Sequence, residues 1–320
     1  MDKNDRLVLA PLAGYTDKAF REICISEGAD ITVTEMVSAE GLARDSKKTE
    51  ELLERADNEK KLVVQLFAPD EDPISRCIEN LMKYNPTSID INCGCPVPKV
   101  VKNGAGCALM KEPWKITKMV KTLKEETALP ISVKFRLGWD SSSINYLEFA
   151  QCALDGGATA LTLHARTRAQ LYTGVADRSA FKNLSKHFKD DRIMLYASGD
   201  IFSPEAALYA IDECNMDGVM FARGAIGNPF IFRETKEFIS KGSYSKPTTK
   251  EKIEIALKHF DLMARYYGEA LAAREMRKHM MAYLKGIEGA SKAKSKLTKA
   301  LTKNDYIEAL SPIIEEWQGQ

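Results

Sequence analysis

The stretch ISVKFRLGWDSSSINYLEFAQCALDGGATALTLH, residues 131–164, decides the fold. Its two ends, Ile131–Phe135 and Ala160–His164, are short and rich in β-branched and apolar residues, as strands are. Between them Asn145–Asp155 repeats its apolar residues at helical spacing. A strand, a helix and a second strand make a βαβ unit, and the pattern recurs along the chain. Outward from it, further strand-like runs fall at Leu7–Ala10, Ile31–Glu35, Leu62–Leu66, Ser88–Asn92, Ile193–Ala197 and Gly218–Ala222. Amphipathic segments lie between, such as Ile74–Tyr84, Pro113–Glu126 and Pro204–Ile211. Eight strands alternating with helices predict an α/β chain, a (β/α)8 TIM barrel. No GxGxxG follows the first strand, which disfavours the doubly wound alternative.

Past the polar stretch SKGSYSKPTT (240–249) the strand pattern stops and helical periodicity takes over. The expected division is a barrel over 1–240 and a small C-terminal all-α helical domain over 241–320. The 320 residues carry 46 basic and 45 acidic side chains, so no net field attracts a polyanion. The balance is local: from Arg274 to Lys303 nine Lys and Arg face two Glu, leaving the remainder of the chain acidic. Such a cluster suits phosphate neutralisation, and a solvated Lys-rich helix face is its plain alternative. The N-terminal segment has too few apolar residues for a signal peptide and no run approaches a membrane span, which predicts a cytoplasmic protein without membrane contact. Seven cysteines without a CxxC pair predict neither a disulfide framework nor a metal site.

In such barrels chemistry gathers where strands end, and the ends here are polar. They carry Gln65, Asn92, Lys134 with Arg136 beyond, His164 with Arg166 and Arg168, Ser198-Gly199-Asp200, and Ala222-Arg223-Gly224. Any one of them could be a loop anchor; six together favour a site. The glycine-bearing seventh and eighth loops suit phosphate, and the loop Cys93-Gly94-Cys95-Pro96 offers a thiol. Spacing leaves that thiol open as nucleophile or acid.

The segments APLAGYTDKAFR (10–21), TEMVSAEGL (34–42), VVQLFA (63–68), DINCGCPVPKVVKNGAGCALM (90–110), VKFRLGW (133–139), LTLHARTRAQLYTG (161–174), SGDI (198–201), GVMFARGAIGNPFIF (218–232) and REMRKHMMAYLKG (274–286) resemble, in order, the tRNA-dihydrouridine synthases. The chain most resembles their bacterial B-type branch. The resemblance implies an FMN-dependent enzyme, driven by NADPH or NADH, that reduces uridine in tRNA, with Cys95 as the proton donor to the base. It implies that Pro11, Leu12, Ala13, Gln65, Lys134, His164, Ser198, Gly199, Asp200, Ala222, Arg223 and Gly224 hold the flavin. Asn92, Lys99, Arg166, Arg168, Arg274, Arg277 and Lys278 are the expected contacts to tRNA, and no obligate protein partner is expected of a monomer. Three positions depart from the family pattern: Leu12 and Cys93 stand where Met is frequent, and Ser198 where Asn is. A structural role is expected for Cys93. Two rival functions are a flavin barrel acting on a free small molecule, which leaves the basic helices without purpose, and an RNA-binding protein with a degenerate barrel, which leaves Cys95, Lys134 and His164 without one.

Overall fold

The computed structural model describes residues 4–318. Its central strands are β1 (Leu7–Leu9), β2 (Ile31–Val33), β3 (Leu62–Phe67), β4 (Ser88–Cys93), β5 (Ile131–Arg136), β6 (Ala160–His164), β7 (Met194–Ser198) and β8 (Gly218–Phe221). Neighbours pair in parallel, and Val8 of β1 pairs with Met220 of β8, which closes the sheet into an eight-stranded TIM barrel. The second strand is shorter than its sequence predicts. It leaves the ladder after Val33 because Thr34 turns its hydroxyl to accept the Gln65 N–H, 3.1 Å away. A two-residue strand, Val37–Ser38, then pairs again with the end of β3.

Alternation along each strand sorts side chains into two layers. One set, including Leu7, Leu9, Val64, Leu66, Ile89, Ile91, Cys93, Val133, Phe135, Leu161 and Leu163, packs into the shell between sheet and helices. The other set, Val8, Ile31, Val33, Val63, Ala160, Met194, Tyr196 and Met220, fills the barrel axis. Each large aliphatic side chain so buried contributes about 1.5–3 kcal/mol. Nearer the C-terminal ends the inward positions become polar: Gln65, Asp90, Asn92, Ser132, Thr162, His164 and Ser198 are all buried.

After the helix Ile231–Lys241, capped by Gly242 in a left-handed conformation, the chain enters four helices: Thr249–Tyr267, Glu269–Tyr283, Ala290–Leu297 and Lys303–Gln318. The first begins with a capping box between Thr248 and Glu251. These helices share a second apolar core that also takes in Ala19, Ile23 and Phe230 from the barrel's side. Among the described residues, no helix is long and apolar enough to cross a membrane.

Close approach of the two parts depends on Gly227. Its φ is +70°, and a Cβ there would lie 2.4 Å from the carbonyl carbon of Ala282. Gly227→Ala should therefore lower the unfolding free energy by about 1–3 kcal/mol, read as a lower urea midpoint. An unchanged midpoint would mean that the helices do not rest on this contact.

Candidate active site at the mouth of the barrel

A cavity of about 470 Å³ opens at the C-terminal end of the barrel. Its wall includes Pro11, Leu12 and Ala13 after β1, Gln65, Lys134, His164, Ser198-Gly199-Asp200 and Ala222-Arg223-Gly224, together with Asn92 and Cys95. The topology thus brings to one space every residue that the resemblance assigns to a flavin, and the thiol with them.

Beneath the cavity runs a chain of hydrogen bonds. Asp90 accepts from Ser132 Oγ and from Gln65 Nε2, both at 2.6 Å. Gln65 Oε1 accepts from Asn92 Nδ2 at 2.8 Å, and Asn92 Oδ1 accepts the Cys95 N–H at 2.9 Å. Asn92 therefore aims the Cys95 loop. An amide has two N–H groups and two lone pairs, so Gln65 keeps one of each for a ligand. Burial raises the Cys95 thiol above the ordinary cysteine range, against the opposing pull of a Val97 N–H, Arg136 and Lys134. At neutral pH it is a thiol, with a proton to give.

Cations crowd the same wall. Burial, helped by Arg136, lowers Lys134 to about 8, and among the described residues its ammonium has no hydrogen-bond or ion-pair partner. Burial also pushes His164 well below the imidazole range, with Lys134 and Arg136 adding to the effect, so its ring is neutral. His164 lies against Gly199, where φ is +109° and a Cβ would come within 2.8 Å of the imidazole Cδ2. Only glycine lets the loop pass there with its backbone open to a ligand. Asp200 joins two arginines, accepting from Arg166 Nη2 at 2.5 Å and Arg223 Nη2 at 3.1 Å. Burial would raise its carboxyl, but the Arg166 hydrogen bond prevails and holds it low. Asp200 thus acts as a clamp for Arg223 and stays a carboxylate, which an anionic phosphate would avoid.

The residues expected to touch tRNA are more dispersed. Arg166 is buried, and besides Asp200 it donates to the carbonyls of Thr173 and Gly174. These bonds engage its Nε and Nη2 in its own loop and leave Nη1 without a partner. Arg277 donates to the Ala300 carbonyl at 2.8 Å, holding its helix to the connection that follows Ala290–Leu297. Arg168 stacks on Trp139, 4.4 Å from the ring centroid. Lys99 and Arg274 are exposed outside the cavity. The Lys278 ammonium lies 5.6 Å from the ring centroid of Tyr15, a residue of the cavity wall.

Two features of the wall were not assigned from sequence. Arg136 donates to the carbonyls of Gly94, Thr167 and Leu171, tying three segments of the mouth together. Tyr172 and Phe202, each 51% exposed, lie 5.1 and 5.4 Å from the Arg223 guanidinium. Arg136 stood one residue past a strand end and Tyr172 sat within LTLHARTRAQLYTG, so both carried a signal.

The family model described as dihydrouridine synthase matches residues 8–318. A probable tRNA-dihydrouridine synthase of Treponema pallidum is 39% identical over 88% of this chain and 84% of its own. A tRNA-dihydrouridine synthase B of Pasteurella multocida is 35% identical over 89% and 85%, and one of Vibrio cholerae is 34% identical over 96% and 94%. Among solved structures, a 2-naphthoyl-CoA reductase complex superposes with a TM-score of 0.56 at 9% identity, covering 74% of this chain and 50% of that one. That last likeness is of fold alone.

Lys134 gives a pH test. An unfolded lysine titrates near 10.4 and the folded one at about 8. Between those values the unfolded chain holds a proton that the folded chain has released, so stability rises with pH through the window. Lys134→Met removes this dependence. The unfolding free energy of the wild type, relative to Lys134→Met, should increase from pH 8 to pH 10 in urea titrations; a flat or falling difference would contradict a depressed lysine.

Proposed function

The chain belongs to the dihydrouridine synthase family, oxidoreductases that act on CH–CH bonds, and on that premise we propose that it reduces the C5=C6 bond of uridines in tRNA to 5,6-dihydrouridine, with FMN as its flavin and NADPH or NADH as reductant. The observation that carries this reading is the placement of a protonated thiol and an unpaired lysine on one cavity wall. When bound, reduced FMN supplies the hydride that adds to C6 of the uracil. The residues present fit such a group: the Gly199 passage is one that a Cβ would fill, and Arg223 offers a fixed guanidinium beside it.

The protein's own part is to hold and to protonate. Cys95 gives its proton to C5 of the ring, and the resulting thiolate is reprotonated from solvent. The Asn92 bond to its backbone fixes where the sulfur points. Lys134 would offer a cation to the negative charge that gathers on a flavin when it is reduced. Gln65 has one N–H and one lone pair left for the flavin's polar edge. A base turned out of its stack meets the exposed rings of Tyr172 and Phe202 at the rim, the kind of surface on which bases stack. The basic helices support tRNA as the carrier of that base: Arg274, Lys285, Lys292, Lys296 and Lys299 are exposed there. Cys93 belongs to the shell between sheet and helices and has no role in this chemistry.

The test is to incubate the purified protein with NADPH and unmodified tRNA and to measure dihydrouridine by mass spectrometry. Wild type and Cys93→Ala should form it, while Cys95→Ala should lose roughly 10²–10⁴-fold in rate with its flavin spectrum intact. A wild-type protein that carries flavin and oxidises NADPH but leaves every tRNA unchanged would replace this reading with reduction of a free small molecule.

A further inference from the structure

Where the helices dock on the barrel, three side chains from separate elements converge. Asp17 caps the helix Lys18–Ser26, His259 lies in Thr249–Tyr267, and His279 lies in Glu269–Tyr283. One ligand atom from each lies within 4.8 Å of the other two. Both imidazoles are fully buried. Of their four ring nitrogens, three have no hydrogen-bond partner: His259 Nε2, His279 Nδ1 and His279 Nε2. Each buried polar atom left unmatched costs about 1–3 kcal/mol, so His259 Nε2 and one nitrogen of His279, converging with an Asp17 oxygen, call for a common partner.

We infer that this cluster is a zinc site, formed by Asp17 Oδ2, His259 Nε2 and His279 Nε2, that staples the helices to the barrel. The division of labour within Asp17 and within His259 fits. Asp17 Oδ1 accepts the Phe20 N–H at 3.0 Å and caps the helix, while Oδ2 turns toward His279. Oδ2 stands 3.8 Å from His279 Nε2. That is too long for a hydrogen bond, and close to the roughly 3.3 Å that separates two ligands held 2.0–2.1 Å from a tetrahedral zinc. His259 Nδ1 faces the Tyr283 hydroxyl at 3.3 Å. An Nδ1–H donating to that oxygen fixes the tautomer whose Nε2 lone pair is open to a metal, the outer-shell contact that ligating histidines commonly make.

Aromatic rings surround the two imidazoles. The Phe20 ring centroid is 5.4 Å from each imidazole, and Tyr15 meets His279 edge-on at the same distance. The two neighbouring cations are occupied, Lys278 by Glu275 at 2.5 Å and Arg21 by Glu59 at 3.0 Å. Two neutral imidazoles and one carboxylate suit zinc and its transition-metal neighbours; calcium and magnesium require more oxygen. Three protein ligands leave a fourth position for water. The site lies outside the cavity wall, so its evidence is independent of the proposed reduction.

Full-length protein purified without chelator should contain about one zinc per chain by elemental analysis. After stripping, Zn²⁺ should raise its thermal midpoint, and Co²⁺ should give the visible d–d absorption of a low-coordinate site. Asn caps a helix as well as Asp does, so Asp17→Asn tests the ligand without removing the cap. It should weaken zinc binding at least about tenfold, the size of effect expected even for losing an outer-shell partner; His279→Gln should do the same. A stripped wild type that binds zinc no more tightly than these two variants, or that gives no Co²⁺ absorption, overturns the site. None of these readouts uses catalysis, so failure here is distinguishable from failure of the reductase reading.

Discussion

A buried carboxylate without a salt bridge sets the geometry of the mouth. Asp90 is wholly inside the barrel, and burial raises its pKa against the pull of Ser132, Gln65 and Lys134. Because its oxygens accept, the Gln65 amide must present Nε2 to it and Oε1 to Asn92. That in turn obliges Asn92 to offer Nδ2 to Gln65 and Oδ1 to the Cys95 backbone. Each amide is oriented by the one before it, so the position of the thiol is dictated from β4's interior outward. In a low-dielectric interior such a chain is firm only when every member is satisfied.

The second chain of constraint is ionic and runs along the rim. Asp200, held in a left-handed turn at φ 51°, divides its carboxylate between Arg166, which is buried, and Arg223, which is half exposed. A buried ion pair contributes little net stability by itself, because desolvation cancels much of the attraction. What it secures here is direction: Arg166 is tied to its own loop through Nε and Nη2, and Arg223 is left facing the cavity. Arg136 does the equivalent work for the Cys95 loop by gripping the Gly94 carbonyl.

Much of this was legible in the chain itself, for identifiable reasons. Short β-rich runs alternating with helical periods, and the polar strand ends, exposed the barrel and the wall residues Gln65, Lys134 and His164, since those depend on local pattern alone. The end of β2 was misjudged because the Thr34 side chain, not its backbone, takes the next N–H. Arg166 and Arg277 were expected to contact tRNA, and sequence shows their charge while hiding the carbonyls of Gly174 and Ala300 that each of them also bonds. The Asp17, His259 and His279 cluster was invisible for the same reason on a larger scale. Its members are brought together only by the docking of two parts, and the reading of metal sites rested on cysteine spacing.

The helical core is completed by Ala19 and Ile23, which come from the first helix of the chain. During synthesis on the ribosome that helix emerges early, while the residues that cover it come more than two hundred positions later. Until then it presents an uncovered apolar stripe beside the loop that carries Pro11, Leu12 and Ala13. One wall of the cavity therefore gains its final support only when the last helices have emerged, so a nascent chain that has completed all eight strands is still an unfinished enzyme.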